Sequence, residues 1–279
     1  MLNKLHKKAF QFSWKAFCFF NEKSFVTIIA HFYFLDMEKI ETPDEYLVEH
    51  DNDHLQGKEL AKISSLNEIN SMNPNDFIKM AFEFQKLMMI YESAIKQVVT
   101  KLEILNKEYK VTGRRNPIET IKSRIKSPES IAEKLEKRKL PFTFESMTEN
   151  LTDVAGVRVI CPYISDIYTI KDILLKQPDI KLLKEKDYIK EPKESGYRSL
   201  HIVVETIVYL SNTEHRVPVE IQLRTIAMDF WASLEHELRY KTESHIPAGI
   251  RRELLRCAET IAMTDREMEE IAIELQALD

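Results

Sequence analysis

The sequence predicts an α/β protein, α+β in its arrangement, with long helices towards both ends of a strand-containing middle. Three observations carry that expectation. Residues Arg216 to Arg224, RVPVEIQLR, alternate strictly: Val217, Val219, Ile221 and Leu223 fall on one side of an extended chain, and Arg216, Glu220, Gln222 and Arg224 on the other. From Asn73-Pro74 onward, Ala81, Phe84, Met88, Tyr91, Ile95, Val98 and Leu102 recur at steps of three and four, the period of a helix with one apolar stripe. Between residues 118 and 240, short β-rich runs are interleaved with capped helical patterns, and Pro247 opens a last long helix.

The alternating stretch on its own reads as a half-buried edge strand, because any strand with one solvated face shows that pattern. Its surroundings suggest chemistry as well. TDVAGVRV (Thr152–Val159) places an acid before a second strand, and KESGYRSLH (Lys193–His201) supplies cations and a tyrosine. Two acids on separate strands among cations suit metal-assisted chemistry on phosphates.

The totals narrow the classes. A chain of 279 residues, 44% apolar and 30% charged, is a globular protein with ample core. A net charge of −5 argues against a DNA-binding or general nucleic-acid coat, so any anion site is a local pocket of positive potential. The five glycines form neither a P-loop nor a dinucleotide-binding fingerprint, which leaves the holding of phosphates to Lys and Arg. Three scattered cysteines, Cys18, Cys161 and Cys257, have no zinc spacing and suit reduced thiols in a cytoplasmic protein.

In chain order, residues 1–36 are Phe-rich, and the apolar run Phe25–Leu35 is too short for the roughly 20 residues of a membrane span. They are expected to be an extension outside the fold, with Met37 as the functional start and 37–72 as a polar leader. Within the leader, EHDNDH (Glu49–His54) contains a His-Asp pair of the kind metal-dependent phosphohydrolases use. No large helical domain precedes residue 70 to supply further ligands, so a solvated loop is the better reading.

The helix opened by Asn73-Pro74 is expected to reach about Tyr109. Ile118–Ile125 reads as a strand delivering Arg124. Ser127 caps a helix over about 128–139, with Pro128 at its first position and Lys134 and Arg138 one turn apart. Two readings of these cations stand: a solvated basic face, or a phosphate site near a helix N-terminus. A strand over 155–161 follows, with Arg158 pointing away from the buried valines beside it. Ser165 is expected to cap a helix to about Lys176. Strands are expected over Lys181–Tyr188 and Leu200–Val208, the latter joined through Ser211-Asn212 to the Arg216 strand as a hairpin. The helix Thr225–Tyr240 is expected to bury Ile226, Phe230, Trp231, Leu234 and Leu238. The last helix carries Ile250, Leu254, Ile261, Met268, Ile271 and Leu275 on one stripe.

Four ordered blocks, GVRVICPY, KESGYRSLH, VPVEIQLRT and AMDFWASLEH, together resemble the synthetase domain of Rel/Spo-type alarmone synthetases, and the length resembles the small, single-domain members. The match covers about residues 75–275, so 73–279 is expected to be one alarmone synthetase domain. The resemblance implies a nucleotidyltransferase-like mixed β-sheet flanked by helices, with long N- and C-terminal helices. It implies transfer of pyrophosphate from ATP to the ribose 3′-hydroxyl of GDP or GTP, giving AMP and (p)ppGpp in stringent-response signalling. It also implies a homo-oligomer, a tetramer in members of this size, for which the C-terminal stripe would suit an interface.

By the same resemblance, Asp153 and Glu220 match the metal-binding acids, with Glu220 the candidate base, and Mg²⁺ suits their hard oxygens. Arg124 and Arg158 match the pair that sandwiches the donor adenine, planar cations well suited to stacking. Lys126, Ser130, Lys134 and Arg138 match positions near the donor phosphates. Tyr197 matches the aromatic that stacks on guanine, and Lys193 and His201 match acceptor-phosphate contacts. Gln222, beside Glu220, is expected to orient the acceptor. Asp229 stands where other small members often carry Asn. A carboxylate there could accept from both guanine N1–H and N2–H, which gives it a guanine-binding expectation. The alternatives are a same-fold pyrophosphokinase acting on an adenosine nucleotide or a tRNA 3′ end, and a non-catalytic nucleotide- or RNA-binding regulator.

Overall fold

The computed structural model describes residues 73–241 and 247–278. The expectations for 1–36 and 37–72 lie outside the described residues. The described chain falls into two compact units, one of residues 73–82 and 127–147, the other of 83–126 and 148–278. Among the described residues, no helix is long and apolar enough to cross a membrane.

The elements in order are α1 (Pro74–Val111), β1 (Thr120–Ile125), α2 (Pro128–Lys137), α3 (Phe144–Asn150), β2 (Ala155–Cys161), α4 (Ile164–Leu175), β3 (Lys181–Asp187), β4 (Leu200–Tyr209), β5 (Glu214–Thr225), α5 (Ile226–Lys241) and α6 (Ala248–Gln276). The smaller unit holds α2, capped as expected: Ser127 Oγ accepts from Ser130 N at 3.3 Å, and Ile131, Ala132 and Leu135 are its buried side. Helix α3 carries no strong period and escapes a reading of the sequence.

The larger unit is built on a mixed five-stranded sheet in the order β1-β2-β5-β4-β3. Only β2 and β5 run parallel; the other three pairings are antiparallel. The expected mixed sheet is present, but β5 is its middle strand rather than an edge. Alternation reports one buried and one open face, and a central strand with one polar face satisfies that equally. Pro218 is tolerated there because β2 begins opposite Val219, so β5 is paired at Pro218 only on its β4 side.

The core lies on the face carrying Val157, Val159, Val219, Ile221, Leu223, Leu200 and Ile202, all at most 2% exposed. Helix α4 packs on β2 and β5 and buries Ile167, Ile170 and Leu174. Helix α1 buries Ala81, Phe84, Tyr91, Ile95, Val98 and Leu102 of the expected stripe, leaves Met88 half-buried, and meets β4 where Thr206 Oγ1 donates to Gln97 Oε1 at 3.0 Å.

Two expectations about caps and stripes are corrected. Ser165 does not cap α4: Asp166 Oδ2 accepts from Tyr163 N at 3.3 Å, while Ser165 N donates to Glu269 on α6 at 2.7 Å. On α5, Trp231 is buried, whereas Ile226, Phe230, Leu234 and Leu238 are exposed. On α6 the stripe expected to suit an interface is largely exposed. Its buried residues are Ala258, Ala262, Asp265 and Ala272, and Ile250, Met268, Ile271 and Leu275 are exposed. Small residues bury because α6 comes very close to the chain beneath it.

That closeness centres on Gly196, whose φ of +84° is a left-handed conformation that side chains disfavour. A Cβ built there would lie 2.4 Å from Ala258 Cβ. Thr225, at the end of β5, holds the same helix: its hydroxyl donates to Asp265 Oδ2 at 2.7 Å and accepts from Met228 N at 3.1 Å, capping α5. Substituting Gly196→Ala is therefore expected to destabilise by about 2 kcal/mol or more, from strain and overlap together. A double-mutant cycle with Ala258→Gly, read by urea denaturation, is expected to show favourable coupling between the two changes; strict additivity would contradict the contact.

Candidate active site

Side chains paired across a sheet point to the same side. On the face opposite the core, one cross-strand row reads Lys122, Arg158, Gln222 and His201, each opposite the next in register. The adjacent row reads Arg124, Gly156, Glu220 and Val203. Gly156 leaves room for Arg124, whose Cγ would meet a Cβ there at 3.4 Å. The strict alternation of β5 thus delivers Glu220, Gln222 and Arg224 to one polar surface.

Asp153 sits just before β2. Lys126 Nζ donates to its Oδ2 at 2.9 Å, and Lys126 N donates to Val154 O at 2.8 Å, which carries the β1–β2 pairing up to the acid. Both Asp153 and Lys126 are mostly buried, at 12% and 16% side-chain exposure. Asp153 is close enough to Glu220 to act on its charge. Asp153, just before β2, and Glu220, opposite Gly156, therefore both stand near the start of the parallel β2–β5 ladder.

Glu220 belongs to a closed ring of side chains. Gln222 Nε2 donates to its Oε2 at 3.0 Å, and Arg224 Nη2 donates to Gln222 Oε1 at 3.1 Å. Arg224 Nη2 also donates to Tyr197 OH at 2.7 Å, and Tyr197 OH lies 2.7 Å from His201 Nε2. His201 Nδ1 closes the ring 3.6 Å from Glu220 Oε1. Burial pushes the Glu220 carboxyl up, but His201 and the Gln222 hydrogen bond outweigh it, and its pKa lies below the usual glutamate value. Glu220 is accordingly an ionised acid in a partly dry pocket.

Tyr197 is backed by the buried cluster of Trp231, Ala232 and Ala258, and the Arg224 guanidinium lies 5.2 Å from its ring centre. Lys193 Nζ sits between two rings, 4.8 Å from Tyr197 and 4.7 Å from Tyr188. The turn that presents it is tied by Gly196 N donating to Lys193 O at 2.7 Å. Asp229, in the first turn of α5, accepts on Oδ1 from Arg158 Nη1 at 3.2 Å and Arg224 Nη1 at 3.0 Å. Burial and the like charge of Arg224 lower the Arg158 pKa, and Asp229 opposes that shift.

The fold thus brings together Asp153, Glu220, Lys126, Arg124, Arg158, Lys193, Tyr197, His201, Gln222 and Asp229. Ser130, Lys134 and Arg138 lie in the other compact unit, respectively in the first turn of α2, one turn later and at its C-cap. Three residues of the site were not singled out as functional from the sequence: Lys122, Tyr188 and Arg224. The parity of Arg224 with Glu220 and Gln222 was the available signal. Tyr188, just past the end of an exposed strand, gave none.

The chemistry open to this surface is that of phosphates. Among the described residues no three His, Cys, Asp or Glu side chains form a ready cage for a metal. Two carboxylates with hard oxygens suit a divalent cation whose remaining ligands are phosphates and waters.

The family described as the region found in RelA / SpoT proteins matches residues 123–245. The chain is 43% identical over 199 residues to GTP pyrophosphokinase YwaC of Bacillus subtilis, spanning 71% of this chain and 95% of that one. It is 36% identical over 194 residues to GTP pyrophosphokinase YjbM of the same organism, spanning 70% and 90%. The crystal structure of the Bacillus subtilis small alarmone synthetase 1 bound to its product pppGpp superposes with a TM-score of 0.65 at 36% identity, over 70% of this chain and 98% of that one.

Linkage gives the site a pH signature. A depressed Glu220 contributes stability that is present above the ordinary glutamate value of 4.5 and lost as pH falls through its folded value. Melting curves of the wild type and Glu220→Gln across the acid range are expected to converge as pH falls. A gap that widens towards acid would contradict the ionised state assigned here.

Proposed function

The chain belongs to the RelA/SpoT family of GTP pyrophosphokinases, and we propose that it transfers pyrophosphate from ATP to the ribose 3′-hydroxyl of GDP or GTP, yielding AMP and (p)ppGpp. The observation that carries this reading is an ionised Glu220 on a cation-lined sheet face, with Asp153, just before the strand paired to its own, near enough to act on its charge. In the reaction, the 3′-oxygen forms a bond to the β-phosphorus of ATP. The bond from that phosphorus to the α–β bridging oxygen breaks, and AMP departs with that oxygen.

Glu220 is the base that takes the hydroxyl proton; Gln222 holds one of its oxygens and His201 faces the other. Asp153 and Glu220 offer their oxygens to a divalent cation, Mg²⁺ by their hardness. Such an ion, when bound, neutralises charge on the transferred group. Arg124 and Arg158 hold the donor adenine, and Lys126, beside Asp153, faces the donor phosphates. Ser130, Lys134 and Arg138 are assigned to those phosphates on the family resemblance alone. Tyr197 stacks the acceptor base against its Trp231 backing, while Lys193 and His201 meet acceptor phosphates.

A homo-oligomer, tetrameric by resemblance, fits the exposed apolar stripe Ile226, Phe230, Leu234 and Leu238 on α5. The groove of about 530 Å³ that Ile226 and Phe230 line with Ile261 and Met268 supports the same reading.

The test is label transfer from γ-labelled ATP in the presence of Mg²⁺. Label is expected on GDP and GTP, and Glu220→Gln and Asp153→Asn are each expected to lower the rate by about a hundredfold or more. Label moving instead to an adenosine nucleotide or a tRNA 3′ end would replace the acceptor. No transfer to any of them would favour a non-catalytic regulator.

A further inference from the structure

We propose that Asp229 is a positioning residue that yokes Arg158 to Arg224, and that it does not read the acceptor base. The assignment of Arg158 to the donor, and of Tyr197, which Arg224 holds, to the acceptor rests on the function proposed above. The yoke itself rests on geometry. Asp229 Oδ1 accepts from Arg158 Nη1 at 3.2 Å and from Arg224 Nη1 at 3.0 Å, and Oδ2 faces Lys122 Nζ at 3.9 Å. The carboxylate is only 15% exposed.

An oxygen that accepts from two guanidiniums has both lone pairs in use. Recognition of guanine through N1–H and N2–H takes both oxygens of a carboxylate side by side. Asp229 has one oxygen committed to the arginines and the other faced by a lysine, so that pair of bonds is not available without releasing Arg158 or Arg224. The departure from Asn at this position therefore has a different consequence from the one its chemistry first suggests.

Charge explains why a carboxylate is needed. Arg158 lies near Arg224 and Arg124, whose like charges oppose its own, and Asp229 offsets them. The Nε atoms of Arg158 and Arg224 are buried with no hydrogen-bond partner, so each guanidinium depends on its Nη contacts for orientation. For Arg158 the contact is Asp229. For Arg224 the consequences extend further, because its Nη2 donates to both Tyr197 OH and Gln222 Oε1. Loss of the carboxylate would loosen the donor arginine and the acceptor tyrosine together.

The position of Asp229 is itself fixed. It directly follows Met228, whose N–H is capped by Thr225, and Thr225 is held by Asp265 of α6. The yoke thus stands on a corner pinned from both sides rather than on a mobile loop.

The experiment uses the full chain with Asp229→Asn and Asp229→Ala, after melting curves show both folded. KM values for ATP and for GDP are both expected to rise about tenfold in Asp229→Ala. The rise is expected to be smaller in Asp229→Asn, which keeps one acceptor oxygen. The ratio of kcat/KM for GDP over ADP is expected to stay within about threefold of wild type, since no base contact is lost. A collapse of that ratio with an unchanged KM for ATP would overturn the proposal and make Asp229 a guanine reader. Unchanged values of all three would overturn it as well.

A second readout separates this claim from the function itself. In NMR spectra of arginine side chains, the Nε–H signals of Arg158 and Arg224 are expected to exchange with solvent faster in both variants. Unaltered exchange would refute the yoke even if the wild type transferred no pyrophosphate, an outcome that would refute only the proposed reaction.

Discussion

The parallel pairing of β2 with β5 is the constraint on which the site depends. Its register sets Gly156 opposite Glu220 and Arg158 opposite Gln222, and so decides which polar side chains meet. A slip of one residue would turn all of them to the opposite face. What prevents the slip is the other side of the same strands. Val157, Val159, Val219, Ile221 and Leu223 are almost wholly buried, and burying each such side chain stabilises by about 1.5–3 kcal/mol. The hydrophobic face holds the register, and the register composes the site.

On the polar face the charges largely satisfy one another. The ring from Glu220 through Gln222, Arg224, Tyr197 and His201 fixes each group by at least two neighbours. Such fixed dipoles need little rearrangement when charge develops during reaction. The ring also couples distant parts of the chain. Tyr197 leans on Trp231 and Ala258, Gly196 presses on Ala258, and Thr225 is held by Asp265, so the C-terminal helix supports the ring at Tyr197 and beside Arg224. The cations gathered here give an acidic protein, with net charge −5, a local surface suited to anions.

Much of this was legible in the sequence because β-alternation is a local property. RVPVEIQLR sorts its own side chains between core and site without help from the rest of the chain, and the same holds for AGVRV. What was not legible depended on neighbours. The central place of β5 is set by partners that its own pattern does not specify. Of the apolar residues of α5 expected inward, all but Trp231 are exposed; on α6 the approach to Gly196 admits only small side chains, which leaves the large ones outside. The hydrogen-bonding capacity of Asp229 suggests a base contact, but the sequence does not show that its Oδ1 accepts from two arginines, on β2 and at the end of β5. Ser165 looked like a cap, yet Asp166 one residue later takes that part.

The central claim is that the pairing of β2 with β5 makes one cation site of Asp153 and Glu220. It is tested most directly by anomalous diffraction from crystals grown with Mn²⁺ and a non-hydrolysable ATP analogue. The account expects a single strong peak within roughly 2.0–2.3 Å of an oxygen of each carboxylate, with analogue phosphates completing the shell. A manganese ion bound away from both acids, or held by only one while the other turns elsewhere, would contradict it.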